Sequence, residues 1–251
     1  MARKNVKKPG AAAPKSPVVV VLIIAAILGV GSVLYGLSSN VGSNDMVMAP
    51  VEVPGLNNAD TLRALATSVS KGNPDAQIKI IEFGDYQCPS CRYFHDSIKP
   101  RLDLAYIDPG IAQFVFYDFP LSQIHPYAFL AARAARCAGD EGNEQYFQYH
   151  TKLYQNQPAW STRTAPPARD FVTYAEELGL DAEAFEACLR SDKHADVVTA
   201  NQKAAMNLNL PGTPAILIQV GNGIPRQVDW STLESLYPAI VSAVDSLRAG
   251  G

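Results

Sequence analysis

An uncharged run of 20 residues, Val18 to Leu37 (VVVVLIIAAILGVGSVLYGL), constrains this chain more than any other feature. At about 1.5 Å per residue, a helix of that length covers the ~30 Å hydrocarbon layer of a bilayer. A helix buried in a soluble core ordinarily keeps a polar face, and this run has none. Five cations (Arg3, Lys4, Lys7, Lys8 and Lys15) precede it, whereas the first acid is Asp45. The asymmetry predicts a cytoplasmic N-terminus and an extracytoplasmic remainder. A cleaved signal peptide is the competing reading, with Gly36-Leu37-Ser38-Ser39 as the cutting site. Secretory apolar segments usually run about 7–15 residues, so the length favours a retained anchor. Export follows on either reading.

Beyond residue 16 the other 16 Lys and Arg face all 24 Asp and Glu, a net charge of −8. Phosphate backbones reward clustered cations, so nucleic-acid binding is set aside. With 251 residues, 47% of them hydrophobic, the chain can build one packed core plus an appendage. Residues 38–56 are rich in Ser, Asn, Gly and Pro and read as a flexible linker.

Alternation and punctuation divide the rest. Asn58 to Ser70 has helical spacing at Leu62, Leu65 and Val69, with Asp60 as a candidate cap. Ile78–Phe83 is a β-branched, buried-strand candidate, followed by a helix toward Tyr106 that is kinked near Pro100. Ile111–Phe119 reads as a second strand, and His125 to Asn207 as a block of helices punctuated by Gly139, Pro158 and Gly179. Ala215–Ile218 returns to strand, a short strand follows near Gln227, and a helix from about Ser231 to Leu247 closes the chain.

Outside the cytoplasm thiols tend to pair, which raises the significance of the four cysteines. Cys88-Pro89-Ser90-Cys91 sits where a buried strand gives way to a helix. With Cys88 as N-cap, Pro89 falls at the first helical position, where a missing N–H costs nothing. The Cys88 sulfur then faces the free amides of Ser90 and Cys91 and the positive end of the helix dipole, which favour thiolate. Cys88 is therefore the candidate nucleophile and Cys91 the resolving thiol. A stabilised thiolate also stabilises the reduced form, so the disulfide becomes a stronger oxidant. Zinc fits poorly, because the other cysteines lie 46 and 97 residues beyond Cys91 and no closely spaced His pair exists. No metal and no cofactor is expected. An inert disulfide fits poorly too, since so short a loop gains little from closure.

Glu82 lies in the apolar strand on the same face as Ile80. On a strand edge it would face solvent; buried, its pKa would rise and it could exchange protons with Cys91 through a water. Thr213-Pro214 opens the later strand, an odd place for proline unless its missing N–H is useful. By itself the dipeptide reads as an ordinary trans turn.

Ile80 to Cys91 (IIEFGDYQCPSC) resembles the active-site strand and helix start of DsbA-like thioredoxin-fold proteins, and Leu210–Ala215 (LPGTPA) resembles their cis-proline loop. The resemblance covers roughly residues 60–248. It implies an α/β thioredoxin-like fold with an inserted helical subdomain, preceded here by one N-terminal transmembrane helix. The implied layout is a cytoplasmic basic tail at 1–17, an anchor at 18–37, a linker at 38–56 and a thioredoxin-like domain at 57–251, with the insertion at about 123–207. It also implies Cys88 as nucleophile, Cys91 as resolving cysteine, Glu82 as buried acid, and a cis bond at Thr213-Pro214. The Pro89-Ser90 dipeptide departs from the pattern, because it lacks the histidine of the strongest oxidants. Cys137 and Cys188 are additional to the pair. A structural disulfide is favoured for them, with two buried thiols or a second redox relay as alternatives. His125, His150 and Trp160 are read as ordinary helix packing and surface.

The leading functional expectation is an oxidase that donates its Cys88–Cys91 disulfide to exported cysteine-containing polypeptides and is reoxidised by a membrane redox partner. The alternatives are a reductase or isomerase, or a membrane-anchored chaperone or binding module without redox turnover. Isomerases of this superfamily typically carry a dimerisation domain, and residues 38–56 are too short for one.

Overall fold

Ile78–Gly84 forms the strand around which the remainder is organised, buried along nearly all its length. The computed structural model describes residues 46–249. The expected basic tail and membrane helix lie outside the described residues. Among the described residues, no helix is long and apolar enough to cross a membrane.

Following a short helix α1 (Ala59–Leu65) come strand β1 (Val69–Gly72), β2 (Ile78–Gly84) and, after a helical stretch, β3 (Ala112–Asp118). Strands β4 (Ala215–Val220) and β5 (Arg226–Gln227) complete a five-stranded sheet in the order β1-β3-β2-β4-β5. β2 runs parallel to β3 and antiparallel to β4. Ile81, Phe83, Val115 and Leu217 build the core on one face; Ile78, Ile80, Phe114, Phe116, Ile216 and Ile218 build it on the other. Helices cover both faces, which is why β2 reads as an almost continuous apolar run. This is the thioredoxin-like α/β arrangement with an inserted helical block.

The expected helix from Asn58 to Ser70 is shorter than its spacing suggests. It stops at Leu65, and its cap is Asn58, whose side chain accepts from the Asp60 and Thr61 amides. Val69 belongs instead to β1, paired antiparallel with Phe116. Partners far along the chain override local periodicity here.

After the cysteines, α2 (Pro89–Tyr93) runs into a π-turn at Phe94–Ile98, then α3 (Lys99–Leu102), then a second π-turn at Asp103–Ile107. Pro100 has no N–H and its ring crowds the carbonyl four residues back, so the chain widens by one residue rather than breaking. The Lys99 amide donates to the Phe94 carbonyl across the widened turn.

The insertion comprises α4 (Ala128–Ala138), α5 (Asn143–Gln155), α6 (Gln157–Trp160), α7 (Ala168–Glu177), α8 (Ala182–Arg190) and α9 (Ala195–Asn207). Cys137 on α4 is bonded to Cys188 on α8, with Cα atoms 5.9 Å apart. Arg133 of α4 is fully buried and donates to the carbonyls of Cys188, Leu189, Ser191 and Lys193, closing the C-terminal end of α8. Its guanidinium also donates to the Val47 carbonyl at 2.9 Å. Met46, Val47, Met48 and Val51 pack against the main core. Of the expected linker, Met46, Val47, Met48 and Val51 therefore lie against the domain. A terminal helix, α10 (Leu233–Ala249), buries Leu236, Ile240 and Val244.

Candidate active site

Cys88 is the N-cap of α2 in extended conformation, with Pro89 at the first helical position. The chain enters it from β2 through Gly84-Asp85-Tyr86-Gln87, and the Cys88 amide donates to the Asp85 carbonyl at 3.1 Å. From the insertion, the Gln157 amide donates to the carbonyls of Tyr86 (2.8 Å) and Cys88 (2.9 Å). The loop is thereby clamped from both sides. A Cβ at Gly84 would come within 2.5 Å of the Phe116 ring, so only glycine lets β3 approach this closely.

Because β4 runs antiparallel to β2 with Ala215 opposite Phe83, the start of β4 returns to the end of β2. The Cys88 thiol thus donates to the Thr213 carbonyl at 3.4 Å, across 125 residues of sequence. The Thr213–Pro214 peptide bond is cis. Cys88 is 7% exposed, and Cys91 is completely buried, where its sulfur accepts from the Asp85 amide at 3.5 Å. Both are free thiols.

The two sulfurs ionise very differently. Cys88 is lowered to about 6. Hydrogen bonding from the Cys91 thiol contributes most, helped by the Thr213 side chain and the Cys91 backbone amide; burial and the Asp85 charge oppose it. Cys91 is pushed well up, first by burial and then by the neighbouring Cys88.

Glu82 is fully buried on the Ile80 face, not at a solvent-facing strand edge. Burial raises its carboxyl well above the usual range, against the opposing pull of Lys99. Its Oε2 lies 2.9 Å from His95 Nε2, and Oε1 has no hydrogen-bond partner. His95 contacts His150 at 3.2 Å, and His150 Nδ1 lies 2.7 Å from the Tyr86 hydroxyl. Beneath Cys88, Asp85 pairs with His125 at 2.7 Å and accepts from the Gln87 and Leu121 amides. That contact with Asp85 raises the His125 pKa against partial burial.

The structure therefore gathers Cys88, Cys91, Glu82, Thr213 and Pro214 at one end of β2, and keeps Cys137 and Cys188 apart as a disulfide in the insertion. Sequence reading assigned His125 and His150 no role, yet one pairs with Asp85 and the other joins the Glu82 cluster. It passed over His95, Asp85 and Gln157 entirely. A signal for His95 was present: it lies four residues after Cys91, one turn on along the same helix. Gln157 and His150 carried no such signal, since only the docking of α5 and α6 brings them here.

A sulfur that ionises near neutrality beside one that resists ionisation is a device for passing disulfides, and the chain is a protein thiol–disulfide oxidoreductase. The thioredoxin family model matches residues 65–236, and the chain belongs to that family. A probable disulfide bond formation protein D from Bacillus cereus is 26% identical over 216 residues, covering 86% of this chain and 91% of the relative. A putative protein-disulfide oxidoreductase from Rickettsia felis is 28% identical, covering 70% of this chain and 60% of its own length. Among solved structures, oxidised BdbD from Bacillus subtilis is similar in fold, with a TM-score of 0.62 at 23% identity over 71% of this chain and 91% of that one.

Proposed function

We propose that this chain is an extracytoplasmic oxidase that donates a Cys88–Cys91 disulfide to exported polypeptides. The observation that carries the reading is the Cys88 sulfur, seated at the start of α2 and 3.4 Å from the Thr213 carbonyl. In the forward reaction a client thiolate attacks Cys88 Sγ, the Cys88–Cys91 bond breaks, and Cys91 leaves as thiolate and takes a proton. A second client thiol then displaces Cys88, which departs readily because it is stable as an anion. The client gains a disulfide and the enzyme becomes a dithiol. Glu82, protonated through burial, is the proton donor for the Cys91 thiolate and takes the proton back when Cys91 attacks during reoxidation. The Thr213 carbonyl, next to Pro214, offers an extended client a backbone acceptor beside the sulfur. A membrane redox partner accepts the electrons, and residues 18–37 hold the domain at the outer face with residues 1–17 in the cytoplasm.

The Cys91→Ala variant tests the reading: Cys88 should accumulate in mixed disulfides with exported proteins. The wild-type reduction potential should be less negative than about −180 mV, on the oxidising side of protein disulfide isomerase. A value near −270 mV, that of thioredoxin, would reverse the direction to reductase. Exchange that survives Cys88→Ser would remove the site altogether.

A further inference from the structure

Glu82 is inaccessible to solvent, yet a carboxyl that gives and takes a proton once per cycle must exchange with bulk water. The group in contact with it is His95, whose Nε2 lies 2.9 Å from Oε2 and whose side chain keeps 5% exposure against 0% for Glu82. His95 also lines a cavity of about 300 Å³ together with Lys99, Asp103, Thr151 and Tyr154. From the geometry we infer that His95 is the proton relay between this cavity and Glu82, and through Glu82 serves Cys91. The inference rests on the exchange chemistry proposed above.

The surroundings fit an imidazole that moves protons without holding charge. Tyr154 stacks flat against it, with centroids 4.1 Å apart, while Phe114 and Phe116 of β3 meet it edge-on. Burial holds His95 well below the ordinary histidine value; Lys99 acts in the same sense and Asp103 opposes. The facing titratable groups are Glu82 from β2, His150 and Tyr154 from α5, Lys99 from α3 and Asp103 from the second π-turn. Lys99 donates to both Asp103 oxygens and is thus committed elsewhere. His150 is also held neutral, primarily by burial. Its Nδ1 lies 2.7 Å from the Tyr86 hydroxyl, and its Nε2 lies 3.2 Å from both ring nitrogens of His95. That contact orients the His95 ring.

The relay balances simply. When Glu82 has given its proton to the Cys91 thiolate, His95 Nε2–H donates to the Glu82 carboxylate. The other imidazole nitrogen gains a proton from the cavity. In reoxidation the sequence runs backward as Cys91 attacks the mixed disulfide at Cys88.

His95 is then a positioning and proton-transfer residue whose loss slows the Cys91 step and leaves Cys88 untouched. The test is stopped-flow resolution of a Cys88–glutathione mixed disulfide in the full chain, from pH 5 to 9. His95→Ala should slow release of glutathione about a hundredfold at pH 7, the low end for positioned proton transfer. Added imidazole should restore the rate, since the space vacated joins the cavity, and the Cys88 thiolate absorbance should titrate as in wild type. His95→Gln keeps a hydrogen bond to Glu82 but cannot relay, and should stay slow with or without imidazole. An unchanged pH–rate profile in folded His95→Ala overturns the relay while the exchange function stands. Should that variant not fold, the wild type decides: resolution independent of imidazole concentration supports an internal relay, and a linear rise with it overturns one. A wild type that forms no mixed disulfide at all would instead sink the exchange reading.

Discussion

Cys88 and Cys91 are three residues apart, yet the fold separates their chemistry by what each can touch. Cys88 lies at the mouth of a helix, hydrogen-bonded by Cys91 and Thr213, and ionises at about 6. Cys91 is one turn deeper, completely buried, and is pushed upward. The difference has a thermodynamic signature. A thiol whose folded pKa lies below its ordinary value of 9.0 contributes stability above that value, and loses it as pH falls through about 6. The reduced protein should therefore gain stability as pH rises from about 6 to 9, and a reduced Cys88→Ser variant should lack that gain. Urea unfolding at each pH measures it. Absorbance at 240 nm should show one thiolate titrating near 6; a midpoint near the free-thiol value would remove the basis of the oxidase reading.

Among the elements, β3, α4 and α9 meet at one buried ion pair. Arg136 of α4 donates to Asp118 at the end of β3 at 2.7 Å and to the Thr67 carbonyl at 2.7 Å. Asn201 of α9 donates to the same Asp118 oxygen at 3.2 Å and to the Thr67 carbonyl at 3.1 Å. The insertion is thus fastened to the sheet by polar groups where apolar packing would be non-directional. Arg136→Met would leave the Asp118 carboxylate buried without its cation. Loss of one partner of a buried pair typically costs about 3–5 kcal/mol, and thermal or urea unfolding should show a loss of that size. A loss below 1 kcal/mol would mean that this contact does not hold the insertion in place. The simultaneous change of Asp118 and Arg136 to apolar residues should recover much of the loss.

Over the whole molecule, two pairs of cysteines do different work. The Cys137–Cys188 bond closes a separation of 51 residues within the insertion, whereas the free thiols sit at the end of β2. In the chain-entropy model such a loop is worth about 4 kcal/mol. The double change Cys137→Ser, Cys188→Ser should lower stability by about that amount and leave the Cys88 titration unchanged. A shift in the Cys88 thiolate midpoint on the same substitution would mean the two pairs are coupled. Since the insertion contributes Gln157 to the active-site loop and His150 to the Glu82 cluster, partial unfolding of the insertion should reduce exchange before the sheet melts. Activity and far-UV circular dichroism followed through one urea titration would separate those events.

Local chemistry in the sequence determined much. Proline after a cysteine at a strand end specified a helix start with a sulfur at its mouth, and β-branched or aromatic runs specified β2, β3 and β4. An even cysteine count, together with the export expected from residues 18–37, pointed to Cys137 and Cys188 as partners. Local periodicity misled only at residues 66–70, where pairing with β3 outweighed helical spacing in Val69. What the tertiary structure alone decided was proximity. The antiparallel register of β4 against β2 brings Thr213 to Cys88, and the docking of α5 brings His150 to His95. The same packing removes water from Glu82 and Cys91. Burial and long-range contact shift a carboxyl or a thiol by far more than its sequence neighbours can, because the cost of a charge depends on what surrounds it in space.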